Sequence, residues 1–233
     1  MTDFQVCLQE IDWNSKRDRC LSDGSNQIDS LEHNFQILAH WSKSLETIYH
    51  GNDALPFLRE AQVSAQDFAC VYSLGLYKNS AASMRTIFES ILYFSYFKDH
   101  NVELKSVTRS KFHLSRSKIL QYHDDHTPNF ASISVKTKLK DFLDNMYSDV
   151  SNIVHSSQPG VWHQIATLGE KEYTSSIAKE VISLFNETIR VINLLLLCTL
   201  TYDEWLTVPH KCRKFFLQGL TEHQLSLIDK QVI

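Results

Sequence analysis

His155 is the residue in this chain best placed to do chemistry. It closes the stretch YSDVSNIVH, residues 147–155, which runs into the turn SSQPG. At about 100° per residue, Asp144, Ser148, Ser151, Asn152 and His155 fall in one sector of a helix, with Tyr147 on its border. A histidine at the end of such a polar stripe can serve as a general acid or base, or as an anion contact. Asn152 could hydrogen-bond the same ligand. The stripe can also be read as a solvated helix face whose last residue complements the C-terminal dipole.

Other residues could join or rival that site. Arg85 and Glu89 lie four apart in a strongly apolar segment, so they share a helix face. They form a structural pair, or Arg85 supplies a cation to a phosphate. HDDH (His123–His126), with His113 ten residues earlier, contains metal-ligand types. Consecutive residues cannot all face one ion on a regular helix, so a solvated loop is expected. His155 and His163 flank the Pro-Gly turn at a spacing that matches no standard ligand pattern. Lys105, Arg109, Lys111, Arg116 and Lys118 form one basic run, and Lys136, Lys138 and Lys140 another. Each is a candidate surface for RNA or a nucleotide, or an ordinary charged helix face. There is no Gly-rich phosphate loop, nucleophile elbow, His-Glu-x-x-His or Rossmann fingerprint. The five cysteines include no Cys-x-x-Cys pair. Neither a metal nor a cofactor is predicted.

The elements that must position these residues read as helices. With 6 Gly and 4 Pro in 233 residues, breakers are scarce. No strand-like alternation persists. The first two dozen residues read as an arm or short helix. Ile28, Leu31, Phe35, Leu38, Leu45 and Ile48 make one apolar stripe, stopped by Gly51. Ser64 and Asp67 predict a helix start, with an end near Tyr77. A second helix, capped by Asn79 or Ser80, runs to about Lys98 and is apolar nearly all round, hence central. Residues 105–123 read as a basic helix and 135–155 as another, with Leu139, Phe142, Leu143, Met146, Val150 and Ile153 facing the core. A long helix is predicted over 173–205. Thr221 to Gln224 matches a capping box.

Composition sets the class. Hydrophobic residues make up 43% and net charge is −4, with pI ≈ 6.2. That gives no global attraction to nucleic acid or membranes. The N-terminus lacks the apolar run of a signal peptide. The most apolar run, Val191 to Leu200, is about half of the ~20 residues that span a bilayer. A reduced, cytoplasmic protein without membrane association is expected.

LGLYKNSAASMRTIFESILYF (residues 74–94) followed by DNMYSDVSNIVHSSQPG (residues 144–160) resembles the HEPN superfamily (higher eukaryotes and prokaryotes nucleotide-binding), in its divergent bacterial branch. The likeness covers about residues 64–205. The helical periodicity and scarce breakers already predict an all-α, antiparallel helical bundle; the resemblance implies that residues 64–205 are its HEPN-like core, with an arm and amphipathic helix over 1–63 and a helical tail over 206–233 as extensions. It also implies dimerisation, often a metal-independent ribonuclease, and a place in bacterial toxin–antitoxin or anti-phage defence systems. RNA or a nucleotide, a second copy, and a protein encoded by a neighbouring gene are the implied partners. His155 matches the family histidine and Asn152 lies in the same motif. The family arginine has no counterpart, because Ser148, Asp149 and Val150 stand where it would be. Arg85, on the neighbouring helix, is the candidate to replace it. A non-catalytic helical module that dimerises or holds a partner is the alternative.

Overall fold

The computed structural model describes residues 2–107, 112, 114–155, 160, 162 and 173–226, apart from the side chains of Ser25 and Asn26. Among them every regular element is an α-helix. Helices α1 (Asp3–Gln9) and α2 (Trp13–Asp23) precede α3 (Ser25–Ile48), α4 (Leu55–Ser73) and α5 (Tyr77–Phe97). A single turn, α6 (Asn101–Leu104), leads towards α7 (Arg116–His126), α8 (Phe130–Thr137) and α9 (Leu139–Val154). The chain closes with α10 (Ser175–Thr199), α11 (Tyr202–Thr207), α12 (His210–Leu217) and one further turn over 222–226.

The architecture follows from where apolar surface is complete. α5 buries Met84, Ile87, Phe88, Ile91, Leu92 and Phe94, so it needs neighbours on several sides. α4 doubles back on it through a turn at Gly75, whose φ of +71° suits glycine. α9, α10 and α7 pack on the rest of α5. α10 is long and apolar enough to cross a membrane by length and composition, yet its most apolar stretch is 72% buried inside the bundle. α3 lies against α10 and α4. Of its apolar stripe, Leu31, Leu38 and Leu45 are buried, and Ile28, Phe35 and Ile48 pack at the margin. The predicted helix thus spends its stripe within the bundle.

Several expected boundaries move, each for a local reason. The helix predicted from Ser64 starts at Leu55, and Ser64 is buried in its interior. Pro56 fits the first turn, where an N–H is dispensable, and the Asn52 side chain accepts from the Ala54 N–H at 2.9 Å. Asn79 and Ser80 lie inside α5, whose N-cap is Leu76. The first two dozen residues are two capped helices, with Thr2 and Asp12 as their caps. The single helix expected over 135–155 breaks at Lys138, which adopts a left-handed φ of +56° and separates α8 from α9. The expected helix over 173–205 stops at Thr199, and Thr201 with Glu204 forms a capping box that starts α11. Among the described residues of the basic segment, those from Arg116 onward are helical; Arg109, Lys111 and His113 lie outside the described residues. The limits after residues 63 and 205 fall inside α4 and α11. The Thr221–Gln224 capping box forms with both of its hydrogen bonds.

One buried polar link ties the C-terminal helix to the core. Trp41 Nε1 donates to Asn193 Oδ1 at 2.7 Å, and Asn193 Nδ2 donates to the Phe216 carbonyl at 2.7 Å. The Trp41 and Phe216 rings stack with centroids 3.7 Å apart. Replacing Asn193 by Leu leaves a buried indole N–H and a carbonyl without partners. A loss of about 2–4 kcal/mol is expected from those two orphaned groups. Urea denaturation checks this, and a change below about 0.5 kcal/mol would show the link to be dispensable.

Candidate functional site

The site forms where α5, α7 and α9 meet. Leu139, Leu143, Met146, Val150 and Ile153 are buried on one face of α9, which turns the opposite, polar stripe outward. His155 is the C-cap of that helix, with its backbone N–H bonded to the Ser151 carbonyl at 2.8 Å. Its Nε2 meets Nη1 of Arg85, seventy residues away on α5. Arg85 Nε donates to Glu89 Oε1 at 2.8 Å. Tyr147 Oη donates to that same carboxylate oxygen at 3.0 Å. The guanidinium of Arg85 also lies 5.4 Å from the Tyr147 ring centroid. Arg85 is therefore held along its length by Glu89 and Tyr147 before it reaches the imidazole.

Arg116, the first residue of α7, joins from the third side. Its guanidinium sits 4.3 Å over the Tyr147 ring and its Nη2 reaches Asp144 Oδ1 at 2.8 Å. Asn152 donates to Ser148 Oγ at 3.4 Å, one turn back, rather than to His155 or Arg85. Of the expected site residues, Arg85 and His155 are thus in contact, and Asn152 stands beside them. His155 as a whole is exposed, so it occupies an open edge between helices while staying within reach of Arg85.

The electrostatics follow from donor counts. A guanidinium has donors only, so Nε2 of His155 must accept, and the imidazole is the neutral tautomer with its proton on Nδ1. The hydrogen bond that Arg85 donates to Glu89 raises the pKa of Arg85 further, against the opposing effect of burial. Arg85 therefore keeps its charge at any working pH. The cluster offers a fixed cation, a neutral imidazole nitrogen and a second guanidinium. That set can hold a phosphate and accept a proton beside it.

The other sequence candidates resolve differently. HDDH is helical and closes α7; it is not a loop. His123 is fully buried, with Nε2 3.0 Å from Ser95 Oγ and Nδ1 2.8 Å from Thr127 Oγ1. The Ser95 hydroxyl already donates to the Leu92 carbonyl, so Nε2–H donates to Ser95 and Nδ1 accepts from Thr127. Burial, then the charge of Lys98, lowers the His123 pKa to about 4. Asp124 pairs with Lys140, and Asp125 accepts from Gln121 at 2.9 Å. No group of three or more His, Cys, Asp or Glu that could hold a metal occurs among the described residues. Lys138 sits at the helix break, so the second basic run is split. His163 lies outside the described residues.

Two contributors escape the sequence reading. Tyr147 is visible only as a border residue, because periodicity gives a position and not a partner. Arg116 is one of five residues in a basic run, and no spacing links it to Asp144 and Tyr147 in the first turns of α9. Comparison of the chain with protein-family models, curated proteins and solved structures finds no match.

Proposed function

We propose that the chain is a HEPN-like component of a bacterial defence or toxin–antitoxin type system that binds RNA, and cleaves it, at the Arg85–His155 pair. The observation that carries this reading is the contact of Arg85 with His155 Nε2, with Arg85 braced by Glu89 and Tyr147. A cation next to a neutral imidazole is the minimum for transesterification of RNA. The phosphate draws Arg85 towards itself and frees Nε2. Nε2 takes the proton of the 2′-hydroxyl, the 2′-oxygen bonds to phosphorus, and the bond to the 5′-oxygen breaks, that oxygen taking a proton from water. Arg85 neutralises the charge that builds on the phosphorane. Asn152 lies within the same stripe as a contact to the sugar or base. Nucleotide binding without cleavage uses the same cation and imidazole. The motif segments 74–94 and 144–160 supply the family setting, with action in the cytoplasm and a partner encoded nearby.

The test uses a labelled single-stranded RNA and its 2′-deoxy analogue. Cleavage of the first and not the second, without added metal, is the expected result. His155→Ala should leave the helical circular dichroism nearly unchanged, since it removes no core contact. It should weaken RNA binding by about three- to tenfold, the loss of one hydrogen bond between neutral groups. Full retention of every measured activity by His155→Ala would reduce His155 to a helix-terminal residue.

A second reading, a non-catalytic module that dimerises or holds a partner, is favoured by one separate observation. α3 and α4 leave an open apolar furrow lined by Phe35, Leu38, Ala39, Ala65 and Ala69. Homodimerisation is compatible with both readings. Light scattering at micromolar concentration should give twice the 27.0 kDa chain mass, and a clean monomer mass counts against it.

A further inference from the structure

We infer that Arg116 is a second phosphate contact of this site, held by Asp144 until a ligand arrives, and that the ligand is therefore an oligonucleotide backbone presenting successive phosphates. The inference rests on the reading of the Arg85–His155 pair as a phosphate site. Three observations carry it. Arg116 and Arg85 both lie against the Tyr147 ring, at 4.3 and 5.4 Å from its centroid. Two guanidinium carbons that share one ring in this way are within about 10 Å of each other. One strand can touch both without bending round the protein.

The second observation is that Arg116 has bonding capacity to spare. Its Nη2 reaches Asp144, but its Nη1 is buried with no hydrogen-bond partner among the described residues. An unpaired buried donor is unfavourable, so a ligand that lets the guanidinium turn outward recovers that cost. The third is the weakness of the restraint. Asp144 is 61% exposed, against 29% for Arg116. An ion pair with one side so open is worth little, and a phosphate, which accepts two parallel N–H bonds, outcompetes it. The N-terminus of α7, at Ser115 and Arg116, adds its partial positive charge on the same side. Asp144 thus acts as a stand-in anion.

This predicts an opposite pair of effects. Asp144→Asn removes the competitor and leaves Arg116 in place, so a ten-nucleotide single-stranded RNA should bind about two- to fivefold tighter. Arg116→Gln should bind it more weakly, with the slope of log K against log salt reduced by about 0.7, the value of one single-strand phosphate. The gain from Asp144→Asn should vanish in the Asp144→Asn/Arg116→Gln double variant, which separates a local exchange from a general loss of negative charge. Asp144 is a surface residue, so folding does not confound its substitution. If Asp144→Asn binds no tighter, or its gain persists without Arg116, the inference is overturned. If His155→Ala loses binding while both variants match the wild type, this inference fails and the Arg85–His155 site stands. If the wild-type chain does not bind RNA at all, both fall together.

Discussion

On the proposed cleavage of RNA at this site, replacing Arg85 by Ala should lower the rate by about 10²–10³-fold, the usual cost of removing one preorganised group that meets developing charge. No other described side chain takes its place directly. Among the contacts of His155 Nε2, Arg85 is the one that brings a positive charge, and Arg116 is turned towards Asp144. The substitution should do little to the fold. The Arg85–Glu89 pair is partly exposed, at 25% and 36%, which limits its contribution to about 1 kcal/mol. Glu89 keeps its hydrogen bond from Tyr147. Arg85→Lys should fall between the two, because an ammonium cannot hold Glu89 through Nε and meet a phosphate at the same time. Cleavage rates should therefore rank wild type, Lys, Ala, with nearly equal melting temperatures. Equal rates in Arg85→Ala and wild type would remove Arg85 from the mechanism and leave the pair as a structural contact.

Acid should destabilise this protein before its carboxylates titrate, and His123 is the reason. In the unfolded chain a histidine titrates near 6.5; in the fold, burial brings His123 to about 4. A group whose folded pKa is depressed takes up its proton more readily when unfolded. Its stability contribution is whole above pH 6.5 and is lost as pH falls from there towards 4. By pH 5 the loss should reach about 2 kcal/mol, and across the whole window about 3 kcal/mol. His123→Leu fills most of the same space and lets Ser95 keep its bond to the Leu92 carbonyl. That variant should be somewhat less stable at pH 7 yet show a much flatter decline to pH 5. Urea midpoints at the two pH values read this directly. A wild-type slope that matches the Leu variant would mean that His123 is hydrated in the fold.

The contrast between His123 and His155 shows what the sequence could convey. Both histidines lie in polar runs near helix C-termini, His123 opening its run and His155 closing its own, and residue type alone does not tell them apart. The stripe on α9 put His155 on the face turned away from the core, because a regular 3.6-residue period also fixes which face is buried. HDDH looked like a loop because four polar residues in a row hide the single position, His123, that turns inward from α7. α5 was legible as central because it is apolar nearly all round. The start of α4 was not, since its first turn is marked by Pro56 and an Asn52 side chain rather than by a Ser or Asp cap. The contacts among Arg85, Tyr147 and Arg116 depend on how three helices pack. That information lies in the shape of the core, which no local pattern records.

The break at Lys138 determines which changes of chain length this fold can absorb. Asp144, Tyr147, Ser148, Asn152 and His155 all lie downstream of it on one unbroken helix, so they move as a body. Losing one residue between 139 and 143 would turn all five by about 100° and shift them by about 1.5 Å along the axis. His155 would swing away from Arg85, and the apolar positions of α9 would leave the core with it. A residue gained or lost beside Lys138 meets a joint that is already irregular, where the helix phase is reset before α9 begins. Length variation tolerated at that joint and refused a few residues later would mark α9 as the element whose angular setting selection has to preserve.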